Sequence, residues 1–359
     1  MIPRSQIFEK KSVAPRVFML FTRQLATLVD SRFPLLQSLA ILNRQEKDPV
    51  LRKVIAGITE SIRNGETFSE SLVRYPAVFN QFFINIVHAG EVGGVLAETL
   101  LRLAEFLEKS HRLKNKVLAA TAYPSILLIV TVAIVCFLLG AIIPKFQSLL
   151  PDILEDRPLP ALTVFVSNLG KLFQQYLPGL LGGCLLLLVG FRYAFRLPRI
   201  KYLFDSWKLR VPLVGNLSRQ YALSSFSRTL GVLTTNSVPI LQGLILTRET
   251  VGNSYIAAAI HQVRRGVQAG EPLCHSLAVL NVFPPLVVSM ISVGEETGCL
   301  PQMLLKIADI YDDEIENTLS SLTSLIEPII VIFLAIVVGI IVVALFSPII
   351  SITTDFSTP

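Results

Sequence analysis

His88 and Glu91 stand three residues apart, the spacing that puts two ligating side chains on one face of a helix. Two donors fall short of the three or four protein ligands of a metal site, and His111, His261 and His275 are scattered along the chain. The cysteines offer no more. Cys136 and Cys184 lie inside apolar runs, and Cys274 and Cys299 lack ligand spacing, so reduced structural thiols are expected. No G-x-x-x-x-G-K-[ST] phosphate loop, G-x-S-x-G elbow or H-E-x-x-H pair occurs. The expectation is therefore a non-enzyme without metal or cofactor.

What does recur is a carboxylate between glycines. The phrase GEVGGVL covers Gly90–Leu96 and GEETGCL covers Gly294–Leu300. Gly90 and Gly294 are expected to end one helix in the left-handed region. Glu91 and Glu295 would then sit in the tight turn before the next helix and accept from its exposed N–H groups. Gly94 and Gly298 would allow close backbone approach at the new helix start. Two roles stay open for these six residues: a structural turn, or a loop presented to a partner.

The phrase occurs twice because a larger unit does. A shift of 205 aligns Phe21, Arg23, Leu25, Leu28, Pro34, Leu36 and Gln37 with Phe226, Arg228, Leu230, Leu233, Pro239, Leu241 and Gln242. After a one-residue loss near Tyr75, a shift of 204 pairs the two Gly–Glu phrases and continues through Pro124/Pro328 to Pro144/Pro348. Within each unit the apolar positions follow the helical period, as in Phe21, Leu25 and Leu28, or Leu96, Leu100, Leu103 and Leu107. Pro34 and Pro239 suit a first helical turn, Gly65 and Gly270 a position just past a helix end, and Thr67 and Ser69 a cap. No strand alternation is present, so each unit is expected to be a bundle of about six helices whose last helix continues into a membrane span.

The chain has 359 residues, 52% hydrophobic and 16% charged, with a mean hydropathy of +0.60. That balance excludes an ordinary soluble protein and an all-membrane transporter alike. Three apolar runs are long enough to span a bilayer, which takes about 20 residues: Tyr123–Pro144, the weaker Leu172–Phe191 with Gln174 and Gln175 near one end, and Pro328–Ile350. Lys109, Arg112, Lys114 and Lys116 precede the first, and Arg192, Arg196, Arg199, Lys201, Lys208 and Arg210 follow the second. The positive-inside rule then puts these flanks in the cytoplasm, so the formal charge of +6 reflects topology and implies no bound nucleic acid. No ionisable residue falls mid-span, which weighs against a transporter. At the cytoplasmic edge, Tyr123 before Pro124 matches Glu327 before Pro328. Each proline is expected to open or bend a helix start, and the pair either anchors the spans or meets another membrane helix. Farther back, Glu105–Lys116 is basic where Asp309–Ser320 is acidic. The acidic helix is expected to face the basic one or the Arg192–Arg210 linker, within one chain or across a homodimer, or else to be simply solvated.

The ordered set of F-x-R-x-L, V/F-P-[LI]-L, GE-x-x-G-x-L, IPKF followed by LP and Thr163, VPLVGNL (Val211–Leu217) and LIEP resembles the F-protein family of type II secretion systems, which includes the inner-membrane platforms of type IV pili and competence machines. The resemblance runs from about Phe18 to Pro348. Arg32 and Ser237 depart from it, standing where the family usually has a turn glycine, and Asn80 replaces its proline. The resemblance implies an all-α, multi-pass protein of the bacterial cytoplasmic membrane with its N-terminus in the cytoplasm. Its implied partners are a hexameric assembly ATPase, pilin or pseudopilin subunits, other inner-membrane assembly proteins, the lipid bilayer and further copies of itself. A scaffold or receptor uncoupled from an ATPase, or a small transporter, is the alternative. The expected organisation is a basic arm at 1–17, a helical domain at 18–121, a span at 122–144 and a periplasmic loop at 145–171. A second span at 172–191, a basic linker at 192–220, a second helical domain at 221–325, a third span at 326–350 and a short periplasmic tail at 351–359 complete it.

Overall fold

A computed structural model describes residues 13–146, 160–194, 198–209, 211, 214–280 and 282–355. Among them the chain is helical, with no strand. The first repeat comprises α1 (Pro15–Asp30), α2 (Leu35–Gln45), α3 (Pro49–Arg63), the short α4 (Phe68–Val73), α5 (Gln81–Val92) and the start of α6 (Leu96–Phe137). Next come α7 (Ala161–Ala194) and α8 (Pro198–Lys208). The second repeat follows as α9 (Val214–Thr235), α10 (Ile240–Thr250), α11 (Ser254–Gln268), α12 (Leu273–Ala278), α13 (Pro285–Thr297) and α14 (Leu300–Asp355).

The chain divides into two compact units. One holds both helical repeats, Met1–Lys116 and Phe204–Glu316. Its cores are built from the repeated apolar stripes: Phe21, Leu25, Leu100 and Leu103 are buried in one, Phe226, Leu230 and Leu304 in the other. Burying each such side chain contributes about 1.5–3 kcal/mol. The punctuation works largely as its residue types dictate. Gly65 and Gly270 follow the C-caps of α3 and α11 with φ of +92° each. Pro34 and Pro239 lie one residue outside the expected first turn, as the N-caps of α2 and α10. In α8, Asp205 Oδ2 accepts from the Ser254 backbone N–H (2.8 Å) and hydroxyl (2.7 Å), which ties the linker to the start of α11. Gly215 of the VPLVGNL phrase lies so close to the Leu209 carbonyl that a Cβ would stand 2.4 Å from its oxygen.

The other unit, Val117–Leu203 with Asn317–Pro359, holds the apolar helices. Leu96–Phe146 and Leu300–Pro348 are long and apolar enough to cross a membrane, and most of their apolar side chains, such as Ile129 and Ile332, face outward. Outward-facing apolar surface of this kind suits lipid and not the core of a soluble protein. The prolines at these helices do not stand at helix starts as expected: Pro124 and Pro328 lie inside continuous helices, each of which begins about eight turns earlier. The first apolar helix passes through a π-helical turn at Leu138–Ile142. The middle apolar run belongs to α7, a helix of 34 residues that starts at Ala161, well before the run itself. Its first turns pack in a small cluster of Ile143, Val166, Ile341 and Ala344, where the Thr163 hydroxyl donates to the Ala344 carbonyl (2.6 Å).

Candidate functional site

The Gly–Glu phrases fold in the same way in both repeats, but not as their sequence suggests. Helix α5 runs through Gly90 and Glu91, and α13 through Gly294 and Glu295. The left-handed residues are Gly94 (φ +69°) and Gly298 (φ +72°). Gly90 and Gly294 serve close approach instead. A Cβ on Gly90 would stand 2.4 Å from Thr99 Oγ1, and one on Gly294 would stand 3.0 Å from the Leu300 Cα. The two glycine roles are thus exchanged relative to expectation. The helix continues until a residue can turn left-handed, and the glycine inside it lets the next helix pack against it.

The carboxylates, too, take partners other than those expected. Glu91 does not cap the helix that follows it; it reaches back to the start of α4. Its Oε1 accepts from the Phe68 N–H (2.6 Å) and its Oε2 from the Ser69 N–H (2.9 Å) and hydroxyl (2.6 Å). Glu295 repeats this on α12, accepting from the Leu273 N–H (2.8 Å) and Cys274 N–H (2.9 Å). A carboxylate beside two unpaired N–H groups at a helix N-terminus gains both charge-assisted hydrogen bonds and the helix dipole. Thr67 completes the first copy with a capping box: its hydroxyl accepts from the Glu70 N–H while Glu70 accepts from the Thr67 N–H. Ser69, expected as a cap, sits inside α4 and donates to Glu91. The second copy has Pro272 at the N-cap and no side-chain cap, so Glu295 carries more of that helix start.

His88, like Glu91, reaches the start of α4. Its Nδ1 lies 3.1 Å from the Ser69 hydroxyl, and no group of three or more ligating side chains occurs among the described residues. Cys274 occupies the position of Ser69, and burial, with the Glu295 carboxylate beside it, pushes its thiol pKa up. That favours the inert thiol over a reactive thiolate.

The repeat-defining arginines have matched partners that sequence reasoning missed. Arg23 of α1 makes a two-pronged bond to Glu108 of α6, both contacts at 2.6 Å. Arg228 of α9 pairs with Asp312 of α14 and lies 3.4 Å from Asp309. The Arg23 guanidinium holds the Glu108 carboxyl below its ordinary pKa. The available signal was an acid at both 108 and 312, matched under the same shift that pairs the Gly–Glu phrases. Between repeats, Lys109 meets Asp309 (2.8 Å) and Lys116 meets Glu316 (2.6 Å). In the apolar unit, the Tyr123 hydroxyl donates to Glu327 Oε1 (2.9 Å), so the two residues expected at the membrane edge meet each other.

This duplicated architecture has a counterpart among known proteins. The family model described as "Type II secretion system (T2SS), protein F" matches twice, at residues 21–144 and 226–348, each match taking in one helical repeat and the apolar helix that follows it. This chain is a member of the type II secretion system protein F family. Its similarity to members is high over nearly the whole length. It is 38% identical over 333 residues to the type IV pilus assembly protein PilC of Myxococcus xanthus, covering 93% of this chain and 79% of that one. The PilC of Thermus thermophilus is 39% identical over 339 residues, covering 94% and 83%. The type II secretion system protein F of Vibrio cholerae is 32% identical over 347 residues, covering 96% and 85%.

Proposed function

We propose that this F-family protein is the inner-membrane platform of a type II secretion or type IV pilus-like machine. In this reading it couples a cytoplasmic assembly ATPase to the insertion of pilin or pseudopilin subunits into a filament, and it catalyses no reaction itself. The observation that carries the reading is the duplicated module, in which a helical bundle is continuous with an outward-facing apolar helix, in a chain similar over nearly its whole length to relatives named for pilus assembly and for secretion. A helix that runs on from the bundle into the apolar segment suits the transfer of a push from bundle to span. The three-span topology and domain limits expected from sequence belong to the same proposal, as does a partner contact at the Gly–Glu turns.

Two measurements test it. A reporter fused after Pro160 should report the periplasm and one after Pro212 the cytoplasm. The full chain, tagged and purified from its own membranes in mild detergent, should bring down a hexameric ATPase and a pilin-like subunit, and its deletion should abolish filament assembly. Both reporters on one side of the membrane, or normal assembly after deletion, would overturn the reading.

A further inference from the structure

Helix α8 turns its apolar residues outward. At about 100° per residue, Ile200, Leu203, Phe204 and Trp207 fall in one stripe about 100° wide. A surface helix of a soluble bundle aims such a stripe at the core. Here Leu203 is 67% exposed and Trp207 62% exposed, and Ile200 is exposed as well. Phe204 is half-buried beside the indole, the two ring centroids 6.3 Å apart. A different side of the helix meets the second repeat. Asp205, about 150° from the middle of the stripe, is the residue bonded to Ser254 of α11. Leu209, just past the helix end, packs against the core of the second repeat.

Charge points to what covers the stripe. From Arg192 to Arg210 the chain holds six basic residues and one acid, Asp205, and that acid is engaged with Ser254. In the helical register Arg199 falls on one border of the stripe, and Lys201 and Lys208 fall on the other. An apolar stripe with a tryptophan, bordered by cations, is the pattern of a helix that lies in the plane of a membrane interface. Its rings and aliphatic side chains enter the headgroup boundary while lysine and arginine reach the phosphates. Position along the chain supplies the membrane. Helix α8 begins four positions after α7 ends at Ala194, and four residue steps reach at most about 14 Å. A basic cluster that follows a span so closely suits an anionic leaflet.

We propose that α8 lies along the cytoplasmic surface of the membrane, with Ile200, Leu203, Phe204 and Trp207 inserted among anionic phospholipids and its basic residues on their phosphates. The proposal rests on the three-span reading, in which α7 leaves the membrane on the cytoplasmic side. It gives the second repeat an attachment to the membrane besides its own apolar helix, with lipid on one side of α8 and Ser254 on the other.

Trp207 is the chain's only tryptophan, so its fluorescence reports on this helix alone. The test reconstitutes the full chain in vesicles of phosphatidylethanolamine and phosphatidylglycerol. A ring about 5–10 Å inside the headgroup boundary lies within reach of lipids brominated on the acyl chain. These should remove about half of the emission, while acrylamide dissolved in the water should remove little. Exchanging phosphatidylglycerol for neutral phosphatidylcholine should cut the quenching by bromine about twofold. Ile200→Gln with Leu203→Gln should do the same and raise the quenching by acrylamide, with the melting temperature unchanged because both side chains are exposed. Strong quenching by acrylamide and none by bromine would put the stripe in water. Protection from both quenchers would mean that protein covers it, either a second copy or another chain. Quenching by bromine that ignores headgroup charge would remove the anionic lipid. Each of these results overturns the proposal. The reporter after Pro212 separates the two levels of failure: in the cytoplasm it confines the failure to α8, and in the periplasm it overturns the three-span reading and this proposal together.

Discussion

At residue scale, Glu91 and Glu295 accept from helix N–H groups as expected, but from the starts of α4 and α12 and not from the helices that follow them. A glycine–glutamate pair repeated under one shift is visible without a structure, and so is its need for N–H donors. Which helix supplies the donors depends on α5 folding back along α4, a tertiary event that leaves no local signature. The difference between copies gives a prediction. Glu91→Ala removes one of two caps on α4, because Thr67 and Glu70 still bridge its first turn. Glu295→Ala removes the only side-chain cap described for α12. Each leaves buried donors short of a partner, at about 1–3 kcal/mol, and the second should be the costlier. Chemical denaturation of the purified chain checks the order; equal losses would mean that the capping box contributes little. The family departures at Arg32 and Ser237 also acquire a physical meaning. Both have positive φ, 65° and 60°, where a Cβ costs about 1 kcal/mol or more. Arg32→Gly and Ser237→Gly should therefore each raise stability by up to about 1 kcal/mol, less the extra freedom glycine gives the unfolded chain. Thermal melting would show it, and a drop in both would contradict it.

At the scale of elements, the helices and their duplication were legible because a 3.6-residue stripe, a proline at a helix start and a glycine past a helix end are all local properties. Helix α7 was less so. Its start at Ala161 is hidden by Lys171, Gln174 and Gln175, which interrupt the apolar run although the helix continues through them. The pairing of α1 with α6 was also hidden, since Arg23 and Glu108 are 85 positions apart. That pair closes the first bundle by joining its first helix to its last. It also carries a pH signature. The Glu108 carboxyl is held below its ordinary pKa by the hydrogen bond from Arg23, so the folded state binds its proton less readily than the unfolded state. The resulting stability is fully present above the unfolded carboxyl pKa, about 4.3, and is lost as pH falls through the lower folded value. With both side chains about one-third exposed, the contribution is about 1 kcal/mol or less. Glu108→Gln should be slightly less stable than the native chain at pH 7 and match it near pH 2. Unfolding curves across that range provide the check, and a gap independent of pH would assign the loss to packing instead.

For the whole molecule, composition and repeats indicated two helical domains joined to apolar helices, yet nothing in them fixed how the two domains meet. The charge contrast between Glu105–Lys116 and Asp309–Ser320 pointed to the right helices and only partly to the right residues. Asp312 turns inward to its own repeat's Arg228, while Asp309 and Glu316 cross to Lys109 and Lys116. The crossing pairs are offset by 200 positions rather than the 204 of the repeat, as expected if the helices meet one turn out of register with the duplication. Lys116 and Glu316 make the cleaner test, because Asp309 also faces Arg228. Their side chains are about half exposed, so the pair contributes at most about 1 kcal/mol, and salt should screen it. Glu316→Lys sets two cations side by side and should lower the melting temperature of the full chain at low ionic strength, with a smaller drop at 1 M salt. Adding Lys116→Glu reverses the pair without removing it, and should recover most of the loss at low salt and little at high salt. A double variant no more stable than Glu316→Lys alone at low salt would mean that the two charges are not coupled, and that apolar packing by itself sets how the repeats are joined.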